Sequence, residues 1–410
     1  MSNTVPNDWE AASLRELCKF SGGSAFKEKY QGRRRGEYPF IKVSDMTIDG
    51  NQRFITNANH WIDQATKIEA KIKLFPASSV VFAKVGAALL LNRRRILTRE
   101  TAIDNNMMAA IPNSDDNNFL YYVLQEVDLR EIVQGGAVPS VNQAQMEDIP
   151  TLIPPLPEQQ KIAAILSSVD NVIEKTRAQI DKLKDLKTGM MQELLTQGIG
   201  HTEFKDSPVG RVPAHWNVVE LREFCKLQNG YAFKSEDFSQ TGTPLIRISN
   251  IKNNGIQVNH DVCISDPSIP DRFFVHAGDS LIAMSGATTG KTGCYRLKQK
   301  AVLNQRVGRF VPLTGRSDNR WIRHLVQTDW FTDAILIDAA GGAQPNISSS
   351  QIESILCALP PLDEQAQIAK SLDSVDIRRE AEASKLVSLT NLKRALMQDL
   401  LTGKVRVNPL

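Results

Sequence analysis

The sequence predicts an α/β fold with two tandem mixed α/β domains, separated by two long helices that pair as an antiparallel coiled coil. Two observations predict it. The chain repeats itself once at a very long interval, which indicates a pseudo-two-fold internal repeat. Each copy ends in a long segment, almost free of Gly and Pro, whose apolar residues recur at heptad spacing.

The repeat is carried by segments that return in the same order. Residues 5–9 (VPNDW) return as residues 212–216 (VPAHW), an offset of 207 (212 minus 5). The offset is 206 at residues 154–156 (PPL), which return as 360–362 (360 minus 154). The same order holds for Cys18 and Cys225, for 135–139 and 341–345, and for 158–159 and 364–365. The interval is too long for a solenoid.

Between these shared segments the two copies diverge. Residues 33–59 have little in common with 239–260, and residues 87–95 little with 287–295. A duplication that only enlarged a structural protein does not explain why the divergence lies in basic, loop-like stretches. Two modules that bind different targets do.

The helical segments follow each Pro-Pro pair. Their seams are Ile162, Leu166, Val169, Ile173, Thr176, Ile180 and Leu183 in the first copy, and Ile368, Leu372, Val375, Arg379, Glu382, Leu386 and Leu389 in the second. Gly198 and Gly403 follow the two helices and can end them. From Glu158 to Thr196 the first helix would span about 58 Å at 1.5 Å per residue. Antiparallel pairing would return the C-terminus to the first domain.

These signals divide the chain into five segments. The domains are predicted at residues 1–153 and 212–359, the helical spacers at 154–197 and, with the C-terminal tail, at 360–410, and a linker at 198–211.

Composition narrows the protein class. A net charge of +3 is too small for a histone-like binder, so any nucleic-acid surface must come from local clusters of Lys and Arg. The five cysteines form no C-x-x-C pair, which disfavours both a zinc site and a disulfide framework and fits a reducing cytoplasm. No apolar run is long enough for a membrane span.

Taken in order, the repeated motifs resemble the two halves of the specificity (S) subunit of a type I restriction-modification system. The motifs are Trp9, Leu14-x-x-Leu17, Gly22-x-x-x-Phe26-Lys27, 39–43 (PFIKV) and 154–162 (PPLPEQQKI), then Trp216, Gly230-x-x-Phe233-Lys234, 244–248 (PLIRI), 286–290 (GATTG), 360–365 (PPLDEQ) and 401–407 (LTGKVRV). The first copy departs from the pattern, having residues 85–89 (VGAAL) where the second has GATTG.

The resemblance implies that each domain is a target-recognition domain for one half of a bipartite sequence in double-stranded DNA. It implies that the helices set the gap and dock two methyltransferase (M) subunits, which restriction (R) subunits join. S-adenosylmethionine, ATP and Mg would then belong to these partners, and this chain would hold no cofactor and no catalytic centre.

Clustered basic residues are the candidates for DNA contact, because Lys and Arg neutralise phosphates and Arg can bond guanine. They are Lys27, Lys29, Arg33, Arg34, Arg35, Lys84, Arg93, Arg94 and Arg95 in the first domain, and Lys234, Lys252, Lys291, Arg296 and Lys298 in the second. A solvated loop tip is the alternative for each run. The expected partner-binding residues are Glu158, Gln159, Ile162, Leu166, Glu364, Gln365, Ile368 and Leu372.

Two other functions compete with this interpretation. The chain could be an autonomous nuclease or methyltransferase, or a coiled-coil assembly protein without DNA. Asp63 and Glu69 faintly resemble nuclease carboxylates but have no counterpart in the second copy. Residues 285–292 imitate a phosphate-binding loop but have Ser285 where its first glycine is required.

Overall fold

The computed structural model describes residues 6–113, 116–133, 138–252, 255–258, 262–265, 268–339 and 346–407. The repeated glycine segments at 135–137 and 341–345 lie outside the described residues. The chain forms two compact units, Met1–Arg177 with Ser384–Leu410, and Ala178–Ala383. Each unit therefore contains one mixed α/β domain, the opening part of the long helix that follows it, and the closing part of the other long helix.

The first domain contains two sheets and a strand pair. One sheet has the strand order Cys18–Gly22, Met107–Pro112, Val80–Ala83, Arg95–Leu97 and Phe54–Ile55. The other has the order His60–Ile62, Tyr38–Ile41, Thr101–Ile103 and Leu74–Phe75. Glu10–Ser13 pairs antiparallel with Pro150–Ile153. The α-helices are Leu14–Leu17, Gln64–Glu69, Asn117–Glu126, Leu129–Ile132 and Gln143–Glu147.

The second domain has the same plan. One sheet has the order Cys225–Asn229, Val307–Pro312, Ser280–Ala283 and Thr292–Cys294. The other has the order Phe238–Ser239, Cys263–Ile264, Thr243–Ile246, Ala301–Leu303 and Phe274–Val275. Further strand pairs join Asn217–Glu220 to Leu356–Leu359, Ile251–Lys252 to Gly255–Ile256, and Phe204–Lys205 to Val212–Pro213. The α-helices are Asn319–Leu325, Asp329–Ala339 and Ser349–Glu353.

Short 3-10 turns connect these elements. They are Glu28–Tyr30, Val43–Thr47 and Leu89–Leu91 in the first domain, and Leu221–Glu223, Ser235–Asp237, Ile248–Asn250, Asp271–Phe273 and Gly286–Thr288 in the second.

Matching helix caps show that the duplication extends to local hydrogen bonds. Asp116 accepts from the backbone N–H groups that begin Asn117–Glu126, and Asp318 does the same for Asn319–Leu325. Asn142 and Ser348 each form a capping box with the Gln three residues later. Such caps satisfy N–H groups that have no partner inside the helix. The predicted pseudo-repeat of two mixed α/β domains is thus confirmed.

The two long helices are Leu156–Leu194 and Leu362–Leu401, with 39 and 40 residues. Gly198 and Gly403 follow them with positive φ angles of 67° and 71°, a backbone conformation that glycine adopts without strain. The helices pack antiparallel, as predicted. Within the first unit, moving 12 residues along the first helix (170 minus 158) moves the ion-pair partner back 13 residues along the second helix and its tail (406 minus 393).

Each unit has a core that includes both long helices. In the first unit, Trp9 packs in one cluster with Ile162 and Leu166 of the first helix and with Met397 and Leu400 of the second. In the second unit, Trp216 belongs to a cluster that contains Leu195, Ile368 and Leu372. The opening part of each predicted heptad seam, Ile162 and Leu166 in the first helix and Ile368 and Leu372 in the second, is therefore buried in the core shared with the α/β domain.

Candidate nucleic-acid interface and helix anchors

The first basic run, residues 33–35 (RRR), lies in a loop of the first domain that is held in place by several contacts. Phe26 stacks on Phe40 at a ring-centroid distance of 3.6 Å. The Nζ of Lys29 is 2.7 Å from a carboxylate oxygen of Glu69. This hydrogen bond raises the pKa of Lys29 and lowers that of Glu69. The loop is thus held beside the helix Gln64–Glu69.

Within the run of three arginines at 33–35, the first is ion-paired and the other two are free. Arg33 is 2.5 Å from Asp63, whose pKa is lowered by hydrogen bonds from Thr66 and Arg33. Arg34 and Arg35 are exposed and, among the described residues, have no carboxylate within ion-pair distance. These two guanidinium groups are therefore available to phosphate or base edges. Asp63 and Glu69, which faintly resembled nuclease ligands, serve as ion-pair partners of the loop.

The three arginines of the second basic run, residues 93–95, differ in how far they are buried. Arg94 is 2% exposed and donates from Nη2 to the backbone oxygen of Val127 at 2.9 Å. Burial lowers the pKa of its guanidinium to about 10. Its own domain encloses the Arg94 side chain in this conformation, so a DNA contact by Arg94 stays a prediction that would require the side chain to move. Arg93 and Arg95 are half-buried.

These arginines line a cavity of about 280 Å³ in the first unit. Arg53 shares it, is 5% exposed, and donates to the side-chain oxygens of Asn118 and Ser167. Neither Arg53 nor Arg94 pairs with a carboxylate in the described part of the chain. The cavity walls also include Asp170 and Glu174, so its positive charge is only partly compensated.

The remaining candidate cations differ in availability. Arg296 pairs with Glu380, and Lys234 lies 3.4 Å from Glu236. Lys84 and Lys291 are half-buried. The exposed residues that lack an ion-pair partner in the described ranges are Lys27, Lys252 and Lys298.

A repeated anchor joins each domain to the start of its helix. The indole N–H of Trp9 donates to Glu158 at 2.9 Å, and that of Trp216 donates to Glu364 at 3.0 Å. Burial alone would raise the pKa of Glu158, but hydrogen bonds from Arg406 and Trp9 outweigh it and hold that pKa below its ordinary value. Hydrogen bonds from His201, the backbone N–H of Ile199 and Trp216 likewise outweigh burial and lower the pKa of Glu364, so both carboxylates favour the charged form.

The adjacent glutamines repeat a second contact. Gln159 donates to the backbone oxygen of Pro154 at 3.0 Å, and Gln365 donates to that of Pro360 at 2.9 Å. Each bond closes the turn that leads into a long helix. The tail after the second helix completes the first anchor, where Arg406 contacts both Asp8 and Glu158. The predicted return of the C-terminal tail to the first domain is confirmed for its described residues, which end at Val407.

The residues expected to bind partner subunits are occupied within the chain. Ile162, Leu166, Ile368 and Leu372 have no exposed surface, and the paired glutamates and glutamines form the anchors described above. In this conformation the eight side chains make contacts inside the chain, and their docking of a partner stays a prediction. They attach each α/β domain to its helix.

Two buried ion pairs between the long helices were not predicted. Asp170 lies 2.8 Å from Lys393 in the first unit, and Lys187 lies 2.7 Å from Asp376 in the second. The 206-residue offset relates Asp170 to Asp376 (376 minus 170) and Lys187 to Lys393 (393 minus 187). Charged residues that recur at this offset on a predicted helix pair were the signal that could have identified them.

The same known protein family matches each of the two α/β domains separately. A family model described as the type I restriction modification DNA specificity domain matches residues 6–185 and again residues 213–391. The chain belongs to this family. Each match to the specificity domain covers one α/β domain and most of the long helix that follows it.

Known members of the specificity family resemble the chain over different lengths. The type I restriction enzyme MjaVIII specificity subunit of Methanocaldococcus jannaschii is 28% identical, covering 99% of this chain and 95% of that protein. The EcoBI specificity subunit of Escherichia coli is 25% identical over 46% of this chain and 38% of that protein. The crystal structure of the S subunit from M. genitalium shares the fold, with a TM-score of 0.63, 13% identity and coverage of 98% and 97%.

None of the helices in the described part of the chain combines the length and the apolar character of a membrane span.

Proposed function

We propose that this chain is the DNA-specificity subunit of a type I restriction-modification complex, in which each α/β domain recognises one half of a bipartite target. The observation that carries the proposal is the double match to the specificity-domain family, one per domain. The two domains share framework and anchors but differ in their basic loops. Different loops on one framework suit the recognition of two different half-sites.

Electrostatics supports the same role. The exposed, unpaired cations of the described residues include Lys27, Arg34 and Arg35 in the first domain and Lys252 and Lys298 in the second. Such groups bind phosphates by releasing condensed counterions, and arginine can bond guanine through two N–H groups. With so small a net charge on the whole chain, these local groups would provide most of the attraction to DNA.

The chemistry of modification and restriction is assigned to partner subunits. We propose that two methyltransferase subunits contribute S-adenosylmethionine, that restriction subunits contribute ATP- and Mg-dependent activity, and that the complex acts in the cytoplasm. The described carboxylates that resembled a nuclease pair are engaged with Arg33 and Lys29. This chain then acts as a non-catalytic subunit.

Each unit exposes apolar side chains of the long helices outside the buried seam. Leu186 and Ile377 in the second unit, and Val387 and Leu392 in the first, are apolar helix residues with about half or more of their surface exposed. Contiguous exposed apolar surface marks sites of protein interaction. We propose that these residues, in place of the buried seam, contact the methyltransferase subunits.

The test is to purify the chain with its methyltransferase partners and to incubate the complex with S-adenosylmethionine and a library of random DNA. Sequencing of methylated adenines should return one two-part motif with an unread gap. Methylation without sequence preference, or methyl transfer or Mg-dependent cleavage by the chain alone, would overturn the proposal. Ile377→Asp should prevent assembly with the partners and leave the melting temperature of the isolated chain unchanged.

A further inference from the structure

The second unit contains two histidines and a glutamate whose coordinating atoms converge. The Nε2 of His201 is 2.6 Å from Oε1 of Glu364, and the Nε2 of His215 is 3.7 Å from Oε2. All three potential ligand atoms lie within 4.8 Å of one another. Ligands bound to one tetrahedral zinc ion at 2.0–2.2 Å are about 3.4 Å apart. Shifts of less than about 1 Å would therefore bring all three groups onto one ion.

The equivalent site in the first unit is built from different groups. There Glu158 is paired with Arg406, which also binds Asp8 through a pair of 2.7 Å hydrogen bonds. Asp8 occupies the position of His215 in the repeat (215 minus 8 is 207). One permanent cation thus bridges two carboxylates in the first unit.

In the second unit, histidines replace both the cation and the second carboxylate. Among the described residues, His201 and His215 are the basic side chains within ion-pair distance of Glu364. Neither histidine carries the permanent charge of Arg406, and a divalent cation bound by both would place positive charge beside this buried carboxylate. Two His and one Glu form a ligand set that zinc uses in proteins.

Secondary contacts hold the carboxylate in place for such an ion. Glu364 accepts hydrogen bonds from the backbone N–H of Ile199 and from the indole N–H of Trp216, both at 3.0 Å. Outer hydrogen bonds of this kind orient metal-binding carboxylates. His215 is 51% exposed, so a water molecule can reach a fourth coordination position.

A second cluster in the same unit is a useful contrast. His324, Asp373 and Asp376 also lie close together. However, Arg323 pairs with Asp373, and Lys187 lies 2.7 Å from Asp376. These cations already balance the carboxylates and would repel a metal ion.

We propose that His201, His215 and Glu364 bind one divalent transition-metal ion, with Zn²⁺ as the best match to the ligand set. His201 belongs to the segment between the first long helix and the second domain, and Glu364 lies in the first turn of the second long helix. The ion would join these two segments of the unit in the way that Arg406 joins its tail to Glu158.

The experiment uses the full-length chain, freed of metal by a chelator and titrated with Zn²⁺ in a calorimeter. The expected result is binding of about one equivalent at these ligands. His201→Arg with His215→Asp supplies the charges of the first unit. Without metal, this double variant should melt at the same temperature as the wild-type chain. It should no longer bind the one equivalent of Zn²⁺ that the wild type binds at these ligands. The double variant retains all five cysteines. Any Zn²⁺ bound by thiols would therefore bind to it as well, and can be subtracted from the binding measured for the wild type.

Two further variants make the outcome decisive. His215→Ala should weaken zinc binding by about tenfold or more, because it removes one ligand from a half-exposed position. His324→Asn should leave the stoichiometry unchanged. Equal zinc binding by the wild type, the double variant and His215→Ala, or no binding by the wild type, would overturn the proposal.

Discussion

Replacing Lys393 by methionine removes the cation that pairs with Asp170 between the long helices. The side chains are only 17% and 10% exposed, so water can compensate for little of the lost interaction. Breaking a buried pair by removing one partner costs about 3 to 5 kcal/mol. Asp170 keeps a 2.8 Å hydrogen bond from Tyr122. We therefore expect the free energy of unfolding of the first unit to fall by about 3 kcal/mol.

A double variant separates the charge effect from packing. Lys393→Met with Asp170→Asn removes both charges and keeps an oxygen that can accept the Tyr122 hydrogen bond. Because no unpaired charge remains buried, the double variant should be more stable than Lys393→Met by about 1 to 2 kcal/mol. Additive losses from the two single substitutions would refute this reasoning.

The second unit offers a matched control. After Lys187→Met, Asp376 still has Arg379 at 3.3 Å, so the loss should be smaller than for Lys393→Met. Urea denaturation gives the overall effect, and hydrogen exchange measured by mass spectrometry assigns it to one unit. Destabilisation of the same size by both substitutions would show that Arg379 does not compensate.

Three further predictions concern DNA binding, target spacing and pH. Replacing Arg34 and Arg35 together by Gln should reduce the slope of log affinity against log salt by about 1.8, because each released counterion contributes about 0.9. As a control, Arg94→Gln should lower the free energy of unfolding and leave the salt slope unchanged. An unchanged slope in the Arg34 and Arg35 variant would exclude these two residues from the phosphate contacts. Inserting a few residues within 169–183 should lengthen the unread gap in the methylated motif without altering either half-site; an unaltered gap would contradict the spacer role. Burial lowers the pKa of His324 from its ordinary 6.5. The unfolded chain therefore binds this proton more readily, and the unfolding free energy should fall as the pH drops below 6.5. His324→Gln should have a flatter stability curve between about pH 7.5 and 5.5, and identical curves would count against the assignment.

Much of the fold was predictable from the sequence, because its signals are periodic or repeated. The 206 to 207 offset revealed two equivalent domains, and the heptad pattern predicted the helices now found at Leu156–Leu194 and Leu362–Leu401. Gly198 and Gly403 were the expected helix ends and do adopt positive φ angles. These features depend on residues close together in the chain or on a comparison of the chain with itself.

The candidate site was less predictable, since the state of a charged side chain depends on partners distant in sequence. Arg94 stands in a basic run yet is buried beside Val127, whereas Arg34 and Arg35 remain exposed. Glu158 belongs to a motif that suggested partner docking, but Trp9 and Arg406 enclose it.

The sequence by itself therefore determined the duplicated architecture, the paired helices and the family resemblance. Only the tertiary structure decided which cations are free, which polar residues serve as internal anchors, and that histidines replace arginine at one of two equivalent carboxylates. The physical reason is that burial and counterions are properties of the folded surroundings. Residues 149 positions apart, such as Trp9 and Glu158, meet only when the domain has closed onto its helix.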